Sequence, residues 1–160
     1  MEKGTMARNR ILLLTAAIAL TALLLSACGG GSGGAKGGDT FTLGDAKLQY
    51  TGYDIAEDET GNDAIIITYE YTNNGEAPNS MLWAVLETPY QDGTELSTAM
   101  IWTDKESLKI VGDSATQEVG PGETLTVETV HTLQDTHTPV TVHLASMEGD
   151  DEAEFTIDLE

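Results

Sequence analysis

From residue 40 onward, apolar residues recur in short stretches of period two, broken by Gly, Asn, Asp and Pro. Successive side chains of a strand point to opposite faces, so this pattern predicts a series of strands. The clearest spans residues 64–73. There Ile65, Ile67, Tyr69 and Tyr71 share one face, and Ile66, Thr68, Glu70 and Thr72 share the other. Further strands are expected at 40–43, 47–55, 81–90, 116–119, 124–133, 140–146 and 155–159. Pro89 argues for an edge or bulge near the end of the strand at 81–90. Residues 96–112 carry no clear period and stay unassigned.

The breaks between strands have their own chemistry. Asn73-Asn74-Gly75-Glu76 supplies residues that tolerate positive φ. Asp92-Gly93 is a two-residue hairpin signal, and Gly120-Pro121-Gly122 presets a turn. Residues 57–63 and 148–154 read as acidic turns. About eight short strands with turns every 8–12 residues predict an all-β, two-sheet sandwich. No long helical period follows Cys28, which disfavours an α/β fold.

The first 27 residues follow a different pattern. Lys3, Arg8 and Arg10 precede a nearly unbroken apolar run at residues 11–25. A basic start and a short apolar run match a secretory signal. Fifteen helical residues rise only about 22 Å, short of a hydrocarbon core of about 30 Å, so a permanent transmembrane helix is the weaker reading. Met6 would serve as a start as well as Met1, since Arg8 and Arg10 follow it.

The run ends in Leu25-Ser26-Ala27-Cys28, followed at once by glycine. Small Ser26 and Ala27 let a peptidase reach the bond before Cys28, with Leu25 completing the recognition sequence. The Cys28 thiol is the nucleophile that takes a diacylglyceryl group. Each buried methylene contributes ~0.8 kcal/mol, and two acyl chains hold where one is marginal. Residues 28–39 are then a lipidated cysteine and a Gly/Ser-rich tether, and residues 40–160 the folded domain. The tether's glycines lack the Gly-Lys-Ser/Thr ending of a phosphate loop.

Charge narrows the partners. The 160 residues hold 7 Lys and Arg against 27 Asp and Glu, a net charge of −20. Removal of residues 1–27 takes away Lys3, Arg8, Arg10 and Glu2, leaving 4 basic and 26 acidic residues, or −22. Such a surface repels phosphate backbones, which excludes nucleic acid as a partner. It also repels anionic headgroups, so the membrane is met only through the lipid. A single cysteine leaves no intramolecular disulfide.

Several signals stand in order along the chain. They are the Leu-Ser-Ala-Cys site with its Gly/Ser tether, Tyr69-Glu70-Tyr71-Thr72-Asn73-Asn74, Gln91-Asp92-Gly93-Thr94-Glu95-Leu96, Gly120-Pro121-Gly122, and Leu133-Gln134-Asp135 leading to Pro139-Val140. From about Phe41 to the end, the chain resembles a family of Gram-positive bacterial lipoproteins that carry a domain of unknown function. The resemblance implies an immunoglobulin-like β-sandwich, lipid-anchored on the extracellular face of the cell membrane. It brings no catalytic residues with it.

Candidate chemistry is sparse. Asp58, Thr60, Asn62 and Asp63 carry the oxygen ligands that calcium favours. They do not match the twelve-residue calcium loop, and solvated charge is the default reading. His131 shares a face with Leu125, Val127 and Leu133, whereas His143 lies opposite Val142 and Leu144, so the histidines are not expected to converge on zinc. No serine sits in a Gly-x-Ser-x-Gly elbow. Trp83, Tyr90 and Trp102 are candidates for an aromatic binding face. The sequence therefore predicts a non-enzymatic interaction module without a cofactor other than its lipid. Its partner would be a protein, a peptide or a wall polymer. The alternative is a lipoprotein that binds calcium or a small solute through its acidic loops.

Overall fold

The computed structural model describes residues 37–104, 106 and 109–160. The signal segment, Cys28 and most of the tether lie outside the described residues. Two four-stranded antiparallel sheets face each other. The first has the order β1 (Thr40–Leu43), β2 (Ala46–Glu57), β3 (Asp63–Asn73) and β8 (Thr124–Thr132). The second has the order β10 (Glu152–Ile157), β9 (Val140–Ser146), β4 (Val85–Gln91) and β5 (Thr94–Glu95). A small hairpin, β6 (Trp102–Asp104) with β7 (Lys109–Ile110), stands apart from both. Consecutive strands β3 and β4 lie in different sheets, as do β8 and β9, and the pairs β3/β8 and β4/β9 interlock. This is the two-sheet sandwich that the strand spacing predicts.

The core forms where the inward faces meet. Leu48, Tyr50, Ile65, Ile67, Tyr69 and Tyr71 come from the first sheet, and Val85, Val140, Val142, Leu144, Phe155 and Ile157 from the second. Full burial of one such aliphatic side chain contributes about 1.5–3 kcal/mol. Phe155 joins the sheets, with its ring 5.2 Å from Tyr50, 6.4 Å from Tyr69 and 4.9 Å from Phe41. Burial and the nearby Tyr53 push the Tyr50 hydroxyl up to about 12.

The structure departs from the sequence pattern in three places. Residues 81–84 form a helical turn, α1 (Met81–Ala84), and the strand starts only at Val85. The N–H groups of Trp83 and Ala84 both donate to Ser80 O, at 3.2 and 3.0 Å, and close that turn. Met81 and Val85 are both buried, a spacing that one helical turn satisfies as well as a strand does. Residues 113–116 form a 3-10 turn (Asp113–Thr116) in which the Thr116 hydroxyl donates to Asp113 O at 2.7 Å. Of the strand expected at 116–119, only Val119 pairs, as an isolated bridge to Asn79. The last strand begins at Glu152, three residues early, because Glu152–Glu154 pair with residues 143–145 of β9. The acidic turn is correspondingly shorter.

Two local devices fix the end of β4. Asp92 at φ 46° and Gly93 at φ 75° make the two-residue hairpin to β5. The buried Gln91 side chain donates to Asp135 O and Thr138 O, at 3.0 and 2.7 Å, and accepts from Gln134 N at 2.7 Å. It thereby fastens the loop before β9.

Candidate functional site

The oxygen ligands foreseen for calcium lie together in the β2–β3 loop, but the loop closes on itself. Asp58 is only 8% exposed. Its Oδ1 accepts from Thr60 N, Thr60 Oγ1 and Asn62 N at 2.8, 2.7 and 3.0 Å, and its Oδ2 from Thr132 Oγ1 at 3.2 Å. The Asn62 N–H, with the Thr60 hydroxyl next, holds the carboxyl down at about 2. Asp63 points outward at the start of β3, where its carbonyl accepts from Leu133 N. The second acidic turn cannot assist, since Asp151 accepts from Gly44 N at the opposite end of β2. Among the described residues, no three His, Cys, Asp or Glu side chains gather as a metal would require.

The aromatic candidates are dispersed. Trp83 is 70% exposed on α1, at one end of β4. Tyr90 lies at the other end, on the outer face of the second sheet, with its ring 5.0 Å from His143. His143 Nε2 meets Glu154 Oε2 at 2.7 Å. Trp102 donates from Nε1 to Glu59 Oε2 at 2.8 Å and so stands against the Asp58 loop.

A more developed site lies elsewhere, at the side of the sandwich bounded by β4 and β8. β5 covers β4 only at Tyr90 and Gln91. Leu96 N donates to Pro89 O, and the chain then leaves β4 and crosses to β8. There Thr98 bridges to His131, and Ala99 N donates to Val130 O at 2.9 Å. The crossing leaves a groove of about 400 Å³, lined by Met81, Val85, Ala99, Val111, Ala115 and Val130 among others. Leu82, Leu86 and Met147 also line it and are exposed.

Polar groups stand within this apolar groove. The side chains of Glu87 and His131 are 6% and 8% exposed, and both line it. Glu87 Oε1 accepts from the Tyr69 hydroxyl at 2.7 Å and the Thr129 hydroxyl at 3.1 Å. Glu87 Oε2 faces His131 Nε2 at 3.4 Å, a long contact. His131 Nδ1 is buried with no hydrogen-bond partner. Burial, reinforced by the Glu87 carboxylate, raises the Tyr69 hydroxyl well above its ordinary range. A buried carboxylate is costly unless it is paired and hydrogen-bonded, so this arrangement is a specific construction.

The sequence pattern put His131 on the face of Leu125, Val127 and Leu133 but did not single out Glu87. The available signal was parity: Val85, Glu87, Pro89 and Gln91 fall on one face, and Glu87 is the ionisable member of it.

The fold has solved relatives. A Staphylococcus aureus protein proposed to be a lipoprotein superposes with a TM-score of 0.54 at 12% identity, over 76% of this chain and 92% of that one. A protein from Enterococcus faecalis gives 0.52 at 20% identity, over 79% and 94%. An uncharacterized β-sandwich protein from Clostridium difficile gives 0.53 at 14% identity, over 77% and 91%. At these identities the likeness is one of fold. No curated protein matches the sequence. A family model does match, over residues 32–146, from the tether to the last residue of β9. The chain belongs to the family described as Domain of unknown function (DUF5067).

Proposed function

We propose that this chain is a lipid-anchored, non-enzymatic binding module on the extracellular face of a Gram-positive cell membrane, and that it captures its ligand in the groove between β4 and β8. The observation that carries this reading is the groove itself. It joins apolar walls to a few fixed polar groups, Glu87 and His131, which is the usual make-up of a ligand site. Support for the anchor comes from the basic start, the apolar run and Leu25-Ser26-Ala27-Cys28. The S. aureus protein of like fold, itself proposed to be a lipoprotein, agrees with it. In this reading calcium has no part, because the Asp58 oxygens are already engaged by their own loop.

Two substitutions test the two halves of the proposal. Cys28→Ala releases the protein into the medium, as measured by fractionating cells; retention in the membrane fraction overturns the anchor. Ala115→Trp fills the groove and abolishes ligand capture while the melting temperature stays within a few degrees; undiminished capture overturns the groove as the site.

A further inference from the structure

We infer that the groove takes an extended peptide bearing a basic side chain, which adds as a strand to the uncovered edge of β4. The inference rests on the groove being the binding site and names the class of ligand.

The backbone supplies the first argument. In an antiparallel sheet the N–H and C=O of one residue face the same neighbour, and alternate residues face opposite neighbours. Pro89 O receives Leu96 N, so Pro89 faces the β5 side. Glu87, two residues earlier, faces the same side, where β5 has ended and the chain has already crossed to β8. The Glu87 N–H and C=O therefore point across the groove's mouth, an edge that invites strand addition. The edge is short. It is closed at one end by α1, where Val85 N–H is used by Met81 O, and at the other by Pro89. That length suits one short peptide rather than open-ended sheet growth.

The side chains supply the second. A strand added about 4.8 Å from β4 sends alternate side chains into the groove and outward beside Leu86. The groove that the inward ones enter is lined by Val85, Glu87, Ala115 and Val130. A carboxylate has about four acceptor sites. The Tyr69 and Thr129 hydroxyls take two, and His131 stands off at 3.4 Å. Glu128 lines the same groove, and no Lys or Arg is among its described lining residues. A cationic side chain complements this charge. A second copy of the acidic chain does not, and neither does an anionic lipid. The described chain enters at the β1 edge, opposite to β8, where Gly37 and Gly38 lie against Thr51 and Tyr50.

The test uses the full chain and the peptide acetyl-Thr-Val-Lys-Val-Thr-amide, followed by calorimetry and by NMR of the Glu87 amide. Saturable binding is expected, with the Glu87 amide shifted and its hydrogen exchange slowed. Norleucine in place of the lysine weakens binding at least tenfold, and so does N-methylation of the peptide amide that faces β4. Glu87→Gln removes the preference for lysine over norleucine; if that variant fails to fold, the norleucine peptide still decides the point. Equal binding of the N-methylated peptide overturns strand addition, and equal binding of the norleucine peptide overturns the basic side chain. If the peptide fails but octylammonium binds and Ala115→Trp blocks it, the groove stands as a site and the peptide inference falls. If neither probe binds, both fall.

Discussion

Gln91 holds the loop before β9 with a single amide group. Its Nε2 and Oε1 satisfy the carbonyls of Asp135 and Thr138 and the N–H of Gln134. Truncation leaves these groups without partners, and an unsatisfied buried group costs about 1–3 kcal/mol. Gln91→Ala is therefore expected to lower the unfolding free energy by about 2–3 kcal/mol, read from urea midpoints, with Gln91→Glu not restoring it. Asp58 acts through its charge. Its folded-state pKa of about 2 lies below the ordinary carboxyl value of 3.8. Its contribution is thus complete above pH 4 and disappears as the pH falls toward 2. Acid titration of the melting temperature should show a decline in that window, and Asp58→Asn should flatten it. A slope unchanged by the substitution would place the acid sensitivity elsewhere.

The strands that the pattern foresaw are those with one wet and one dry face. β1 and β9 have the expected bounds, β8 ends one residue early, and β3 starts one residue early. What the pattern missed is short or shared between structures. A four-residue helix cannot display a helical period, so Met81–Ala84 read as strand. Trp83 then moved from an expected strand face to an exposed turn. Residues 96–99 take their form from two different sheets, touching β4 at Leu96 and β8 at Thr98 and Ala99, and no local period records that. The groove was hidden for the same reason, since Glu87 becomes a site only when β8 brings His131 and Thr129 to it. Turn chemistry, by contrast, was local and legible. Gly93 sits at φ 75°, and a Cβ added there would meet no atom within 4 Å, so its requirement is purely one of backbone. Gly93→Val should cost about 1–2 kcal/mol in thermal or urea unfolding, and Gly93→Asn distinctly less. Equal losses would point to side-chain crowding instead.

At the scale of the molecule, the two sides of the sandwich have different tasks. One side presents the groove between β4 and β8, and the described chain enters the first sheet on the other, at β1. On the proposed reading these tasks are compatible, since an anchor at Cys28 would hold the domain near the membrane while its acidic surface would keep it from lying there. The entry at β1 also determines how the module answers to tension. A pull on Gly37 acts on the open end of the β1–β2 hairpin. It breaks first the contacts of Gly38 and Asp39 with Tyr50, then Thr40 with Gln49, and last Leu43 with Ala46. The rungs are loaded one after another, as in a zipper, rather than sharing the force as they would in shear. Constant-force measurements should find an early extension of a few nanometres, the length of β1 and its turn, well below the force that opens the rest; simultaneous rupture of the whole domain would contradict this. When β1 peels, Phe41 leaves its stack on Phe155 and Leu43 leaves the core, while β4 and β8 keep their places. On the proposed reading the first strand would act as a mechanical fuse, lengthening the leash under load before the grip on a ligand is disturbed.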